Sequence, residues 1–196
     1  MNSALQHFLD KNGGIFTSQE AVEAGFQRST LKYLVDQNEL DQPMRGLYSD
    51  PNQLEDSFVL WQKKYKQGVF GGETGLYLYQ LTTKTPFSYH MYFKQGFHFN
   101  RINNEVIPHY VKANKFEENI EVVKTPSLNN VRCYSVERCL VDFWSENPSS
   151  EIAYEALQGY YQTKFDPYLL SLQLSSAKSK GVQSLKTALE ALQTQW

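Results

Sequence analysis

The side chains best suited to covalent or metal chemistry are Cys133 and Cys139, with His98 and His109 upstream of them. A metal site needs several such ligands at short, characteristic spacings. His98 and His109 stand apart from both cysteines and from any carboxylate at ligand spacing. A Cys–His nucleophile could be drawn from the same residues, but no local signature supports one. Gly71-Gly72-Glu73-Thr74-Gly75 precedes a helical pattern, and free backbone amides at such a place attract phosphate. It lacks the lysine and hydroxyl of a P-loop. A nucleotidyl transferase would need metal-binding carboxylates soon after the turn. None occurs between Glu73 and Glu105. The expectation is no enzyme, no cofactor, no metal site, and a tight turn at the glycines. Glu137 and Arg138 read as an ion pair or a dipole contact at the start of their helix.

A different chemistry is concentrated near the N-terminus. Gln27, Arg28, Ser29, Thr30, Lys32 and Tyr33 are of types that bond phosphates and base edges, and Arg45 follows nearby. Their use depends on the elements that carry them. Leu5, Phe8 and Leu9 mark one face of a short helix, stopped by Asn12-Gly13-Gly14. Ile15-Phe16 is a short extended piece. Thr17 and Glu20 have the spacing of a capping box, which opens a brief helix ending at Gly25. Ser29 is expected to cap a third helix with Leu31, Leu34 and Val35 inward. Leu40 and Leu47-Tyr48 flank a polar tip, residues 41–46, and read as a β-hairpin. Helix, helix, turn, helix and hairpin is the order of a winged helix-turn-helix. It leaves Arg28, Thr30, Lys32 and Tyr33 pointing outward, with Arg45 at the wing tip. The same order also serves protein adaptors. Acidic residues outnumber basic ones over this stretch, with Asp10, Glu20, Glu23, Asp36, Glu39, Asp41 and Asp50 against Lys11, Arg28, Lys32 and Arg45.

Leu54, Phe58, Trp61 and Tyr65 mark a linking helix over residues 51–68. Between Trp61 and Lys115 the charge balance reverses. Lys63, Lys64, Lys66, Lys84, Lys94, Arg101, Lys112 and Lys115 face only Glu73 and Glu105. With Tyr89, Tyr92, Phe93, Phe97 and Phe99 among them, the cations are candidate secondary contacts to a DNA backbone. The competing possibility is that the aromatics are core strand residues. A helix is expected over residues 73–80, and strands near Ser88–Phe93, Glu105–Val111, Ile120–Lys124 and Val131–Tyr134. Ser135 should cap a helix with Val136, Cys139, Leu140 and Phe143 inward. Three further helices are marked by Ala153, Leu157, Tyr160 and Tyr161, by Asp166-Pro167, and by Val182, Leu185, Leu189 and Leu192. The fold class is α+β: a winged helix-turn-helix over 1–50, then a mixed α+β domain over 69–196 with a helical C-terminal end.

The 196 residues carry a net charge of −2, so the chain as a whole is no general polyanion binder. No signal peptide or membrane span is evident, which predicts a cytoplasmic protein with reduced thiols and no membrane partner.

Together these stretches resemble a known family. Gly13-Gly14-Ile15-Phe16-Thr17, Glu20-Ala21, Gly25, Ser29, Leu31, Leu34-Val35, Leu40 and Arg45-Gly46-Leu47-Tyr48 are similar to the N-terminal domain of AbiEi-type antitoxins. Gly72-Glu73-Thr74-Gly75-Leu76 with Tyr89–Phe93, and the run Ser135-Val136-Glu137-Arg138-Cys139-Leu140-Val141-Asp142, resemble that family's second domain. The likeness spans about residues 5 to 145. It implies the antitoxin of a type IV toxin–antitoxin pair in phage abortive infection. Such a protein represses its own operon at inverted repeats in operator DNA. It also counters a nucleotidyltransferase-like toxin without needing a stable complex. Other expectations that stay open are a winged-helix interaction module and a transcriptional regulator without antitoxin activity.

Overall fold

The computed structural model describes residues 3–99, 101–148, 150–177 and 180–194. The chain forms two compact units: residues 1–67 with 124–131, and residues 68–123 with 132–196.

In the first unit, helix α1 (Ser3–Lys11) leads to strand β1 (Ile15–Thr17), helix α2 (Ser18–Glu23) and helix α3 (Arg28–Asp36). Strands β2 (Asp41–Met44) and β3 (Leu47–Ser49) follow, then helix α4 (Ser57–Lys64). The strands pair antiparallel in the order β1-β3-β2. The capping box at Thr17 forms as expected: its side chain accepts from the Glu20 amide while Glu20 Oε2 accepts from the Thr17 amide at 2.7 Å. Leu5, Leu9, Phe16, Ala21, Leu31, Leu40 and Tyr48 make one apolar core, with Phe8, Phe26, Leu34 and Val35 packed at its edge.

Three local expectations need correction. Ser29 does not cap α3. The cap is Gln27, in extended conformation and without a side-chain cap bond, so the helix begins two residues earlier. Residues 41–46 are not all a tip. Asp41–Met44 form the edge strand β2, where Pro43 is tolerated because an edge strand leaves amide positions unpaired. The turn is only Arg45-Gly46, and Gly46 supplies the positive φ of 80° that it requires. Leu54 is 98% exposed and takes no part in the buried stripe. Helix α4 buries Phe58, Val59, Leu60 and Trp61.

Asp56 shows how residues 124–131 join this unit. Buried at the N-cap of α4, it accepts from the Phe58 and Val59 amides through Oδ1. Its Oδ2 accepts from the Thr125 hydroxyl and from Asn129 Nδ2 at 2.9 Å.

The second unit is an α+β layer. Strand β4 (Val69–Phe70), helix α5 (Gly72–Leu78), strands β5 (Tyr89–Lys94) and β6 (Val106–Val111) come first. Helix α6 (Ala113–Phe116), strands β7 (Ile120–Lys124) and β8 (Asn130–Tyr134), and helices α7 (Val136–Glu146), α8 (Glu151–Thr163), α9 (Pro167–Ser176) and α10 (Lys180–Gln193) complete it. The sheet order is β6-β5-β4-β8-β7, with β5 and β6 parallel and β4 antiparallel to β5. Helix α7 packs against α5, α8, α9 and α10, so it is the hub of the helical end. Its Ser135 cap accepts from the Arg138 amide, as expected. Val182 and Leu185 are buried, whereas Leu189, Leu192 and Tyr161 are only half-buried. Gly75 has no room for a side chain, because a Cβ there would stand 2.3 Å from Cys139 Sγ.

Candidate nucleic-acid interface

Burying Leu31 turns the other faces of α3 outward. Gln27, Arg28, Ser29, Thr30, Lys32 and Tyr33 are all exposed, as is Arg45 in the β2–β3 turn. Tyr33, 60% exposed, is the largest apolar surface on α3. Among the described residues, no carboxylate lies within ion-pair distance of Arg28, Lys32 or Arg45. Because Gln27 caps without a side-chain bond, the amides of Arg28 and Ser29 open the helix without an intrahelical acceptor. Cationic side chains and free amides at one helix N-terminus favour an anionic partner such as phosphate.

The acidic residues counted against this face are partly spent inside the unit. Asp50 is buried and accepts from the Asn52 amide, Gln53 Nε2 and Gln6 Nε2. Glu20 pairs with Lys63 Nζ at 2.8 Å. Burial alone would raise the Glu20 carboxyl, but the Lys63 and Thr17 hydrogen bonds hold it below its ordinary value. Lys63 offsets the Glu20 charge, whereas Asp50 is held by neutral donors.

The expected basic middle region divides. Lys63 is not a surface cation, since Glu20 Oε1 and Asn12 Oδ1 hold its ammonium. Lys64 and Lys66 are exposed in the first unit; Lys84, Lys94, Arg101, Lys112 and Lys115 are exposed in the second. The aromatics among them do not form a stacking surface. Tyr92 and Phe93 are buried, and Phe97 and Phe99 pack on Phe93 with centroids 5.2 and 4.7 Å away.

The second unit holds a polar cluster that sequence spacing did not reveal. Parallel pairing of β5 with β6 sets His90 beside Ile107 and Tyr92 beside His109. The diagonal neighbours His90 Nδ1 and His109 Nε2 then meet at 3.0 Å. Glu73 lies 4.0 Å from His90 Nε2, and Glu146 lies 3.7 Å from His109 Nδ1. Burial, then the neighbouring His109, lowers His90 to about 4. Burial also lowers His109, partly offset by Glu146. Among the described residues, no group of three or more His, Cys, Asp or Glu is arranged to hold a metal. His98 is exposed and belongs to no such cluster.

The His90 shift sets a pH dependence. The unfolded chain takes up this proton near 6.5 and the folded chain near 4, so acid favours unfolding between those values. Stability from this group is full above about 6.5 and is lost as pH falls to about 4, by up to about 3 kcal/mol. In urea denaturation, His90→Asn is expected to flatten the stability–pH curve across that window. An unchanged curve would assign the acid sensitivity elsewhere.

Residues 3–49 match the family model described as "Transcriptional regulator, AbiEi antitoxin". The resemblance is thus borne out over α1 to β3, the stretch that carries the outward face. The fold as a whole is similar to the crystal structure of the RV2827C protein from Mycobacterium tuberculosis. The TM-score is 0.62 at 14% identity, with 96% of this chain and 75% of that chain covered. No curated protein sequence matches the chain. No helix among the described residues is long and apolar enough to cross a membrane.

Proposed function

We propose that this protein is a DNA-binding transcriptional autorepressor and the antitoxin of a toxin–antitoxin pair. In this reading the first unit binds operator DNA and the second unit counters a nucleotidyltransferase-like toxin. The observation that carries it is the outward face of α3: Arg28, Thr30, Lys32 and Tyr33 are exposed, on a segment that matches an antitoxin regulator family. Helix α3 lies in the major groove with its N-terminal residues at base edges, and Arg45 in the β2–β3 turn reaches the adjacent backbone or minor groove. Lys64 and Lys66 add backbone contacts. The pairing is of type IV, serves phage abortive infection, and acts in the cytoplasm on an operator with inverted repeats. No catalytic step is assigned to the chain.

Division of labour between the units makes the reading testable. Arg28→Ala should derepress a reporter driven by the chain's own upstream region. The same variant should protect cells from the toxin encoded beside it as well as the parent does, at matched expression. Derepression with full protection is the expected pair of results. Full repression by Arg28→Ala would remove α3 from the operator. No protection by the unaltered chain would leave a transcriptional regulator or an adaptor without antitoxin activity.

A further inference from the structure

Helices α6, α7 and α9 and strand β6 surround a cavity of about 310 Å³ in the second unit. Tyr92, Tyr110, Lys112, Lys115, Arg138 and Asp142 line it. Arg138 is 8% exposed and lies over the Tyr134 ring, 3.4 Å from its centroid. Its Nη1 donates to the carbonyls of Glu118 at 2.7 Å and Lys115 at 3.1 Å. Its Nε faces Asp142 Oδ2 at 3.6 Å. No hydrogen bond to a described residue is made by the two N–H donors of Nη2, which stays open to the solvent of the cavity.

The charges around the cavity point to the kind of group that would meet those donors. Lys112, Lys115 and Arg138 outnumber the carboxylates of Asp142 and Glu118. Burial raises Asp142 to about 6 despite Arg138 beside it, so its repulsion of an anion weakens only below that pH. Two flexible ammoniums and one fixed guanidinium suit a phosphoryl group with its three acceptor oxygens. The cavity has room for more than a phosphate ion, and Tyr110, 52% exposed, offers a ring face for stacking.

We propose that this cavity binds a phosphorylated small molecule of about nucleotide size. Arg138 Nη2 and the Lys112 and Lys115 ammoniums hold the phosphoryl group, and Tyr110 packs on the remainder. The site lies in the second unit and does not depend on α3 reading DNA.

Isothermal titration calorimetry of the full chain with adenosine 5′-monophosphate, inorganic phosphate and adenosine tests the proposal. The monophosphate should bind at millimolar concentration or below, phosphate more weakly, and adenosine not at all. The double change Lys112→Ala/Lys115→Ala affects exposed side chains. It should weaken the monophosphate about tenfold or more without changing the melting temperature. Tyr110→Ala should weaken the monophosphate but not phosphate. Absence of binding by both phosphates, or equal binding by the lysine double variant, overturns the proposal. If both phosphates fail while the double variant loses duplex DNA affinity, the phosphoryl group is that of a nucleic-acid backbone. That result overturns the small-molecule assignment.

Discussion

Replacing Arg28 and Arg45 together by alanine is expected to weaken binding to the chain's own upstream DNA roughly hundredfold at fixed salt. The figure takes each loss near the lower end of the about 1–3 kcal/mol usual for a side chain that contacts a base edge. The two arginines sit on different elements, one at the first position of α3 and one in the β2–β3 turn, and neither has an ion-pair partner among the described residues. Removing them therefore deletes contacts to DNA without leaving a buried charge behind, and the fold should keep its melting temperature. The two single variants should differ in kind. A residue that reads a base loses discrimination between the operator and a scrambled duplex. A residue that touches phosphate weakens both duplexes alike and lowers the log–log salt slope by about 0.9. Lys63→Ala supplies the contrast: its ammonium is tied to Glu20, so the change should alter stability rather than the salt slope.

The largest loss of stability is expected from Asp56→Ala, about 3–4 kcal/mol in urea denaturation. One part is the helix cap, since Oδ1 serves the Phe58 and Val59 amides at the start of α4. The other part is the buried acceptor for Thr125 and Asn129, which would be left unmet. Asp56→Asn retains one oxygen acceptor and should cost clearly less. Equal costs would show that charge rather than hydrogen bonding holds residues 124–131 in the first unit. A loss under about 1 kcal/mol would show that the cap and both long-range bonds contribute little.

Local signals were strong where a few neighbouring residues settle the backbone. Thr17 and Glu20 announce α2 because each meets an amide of the other. Asp166-Pro167 announces α9 in the same way, with Asp166 accepting from the Tyr168 and Leu169 amides. The outward set on α3 was legible from the burial of Leu31, although the cap lay at Gln27 because the chain enters the helix already extended there. Longer-range pairings were not legible. Strand β4 is two residues long, too short for any alternation, yet it joins β5 to β8 at the centre of the sheet. His90 and His109 meet only through the parallel register of β5 and β6, which no spacing encodes. Lys63 reads as one more surface cation until Glu20, 43 residues earlier, is seen to hold it.

In the proposed complex DNA lies against α3 and the β2–β3 turn. Photo-crosslinking tests it most directly, with a photoreactive phenylalanine analogue placed at Tyr33, at Arg45, and at Tyr154, which is exposed on α8 of the second unit. With a radiolabelled duplex from the upstream region, adducts are expected from positions 33 and 45, and an excess of unlabelled operator should abolish them. Position 154 should give none. Folded protein that binds the duplex but crosslinks at neither 33 nor 45 would show that DNA lies on another face.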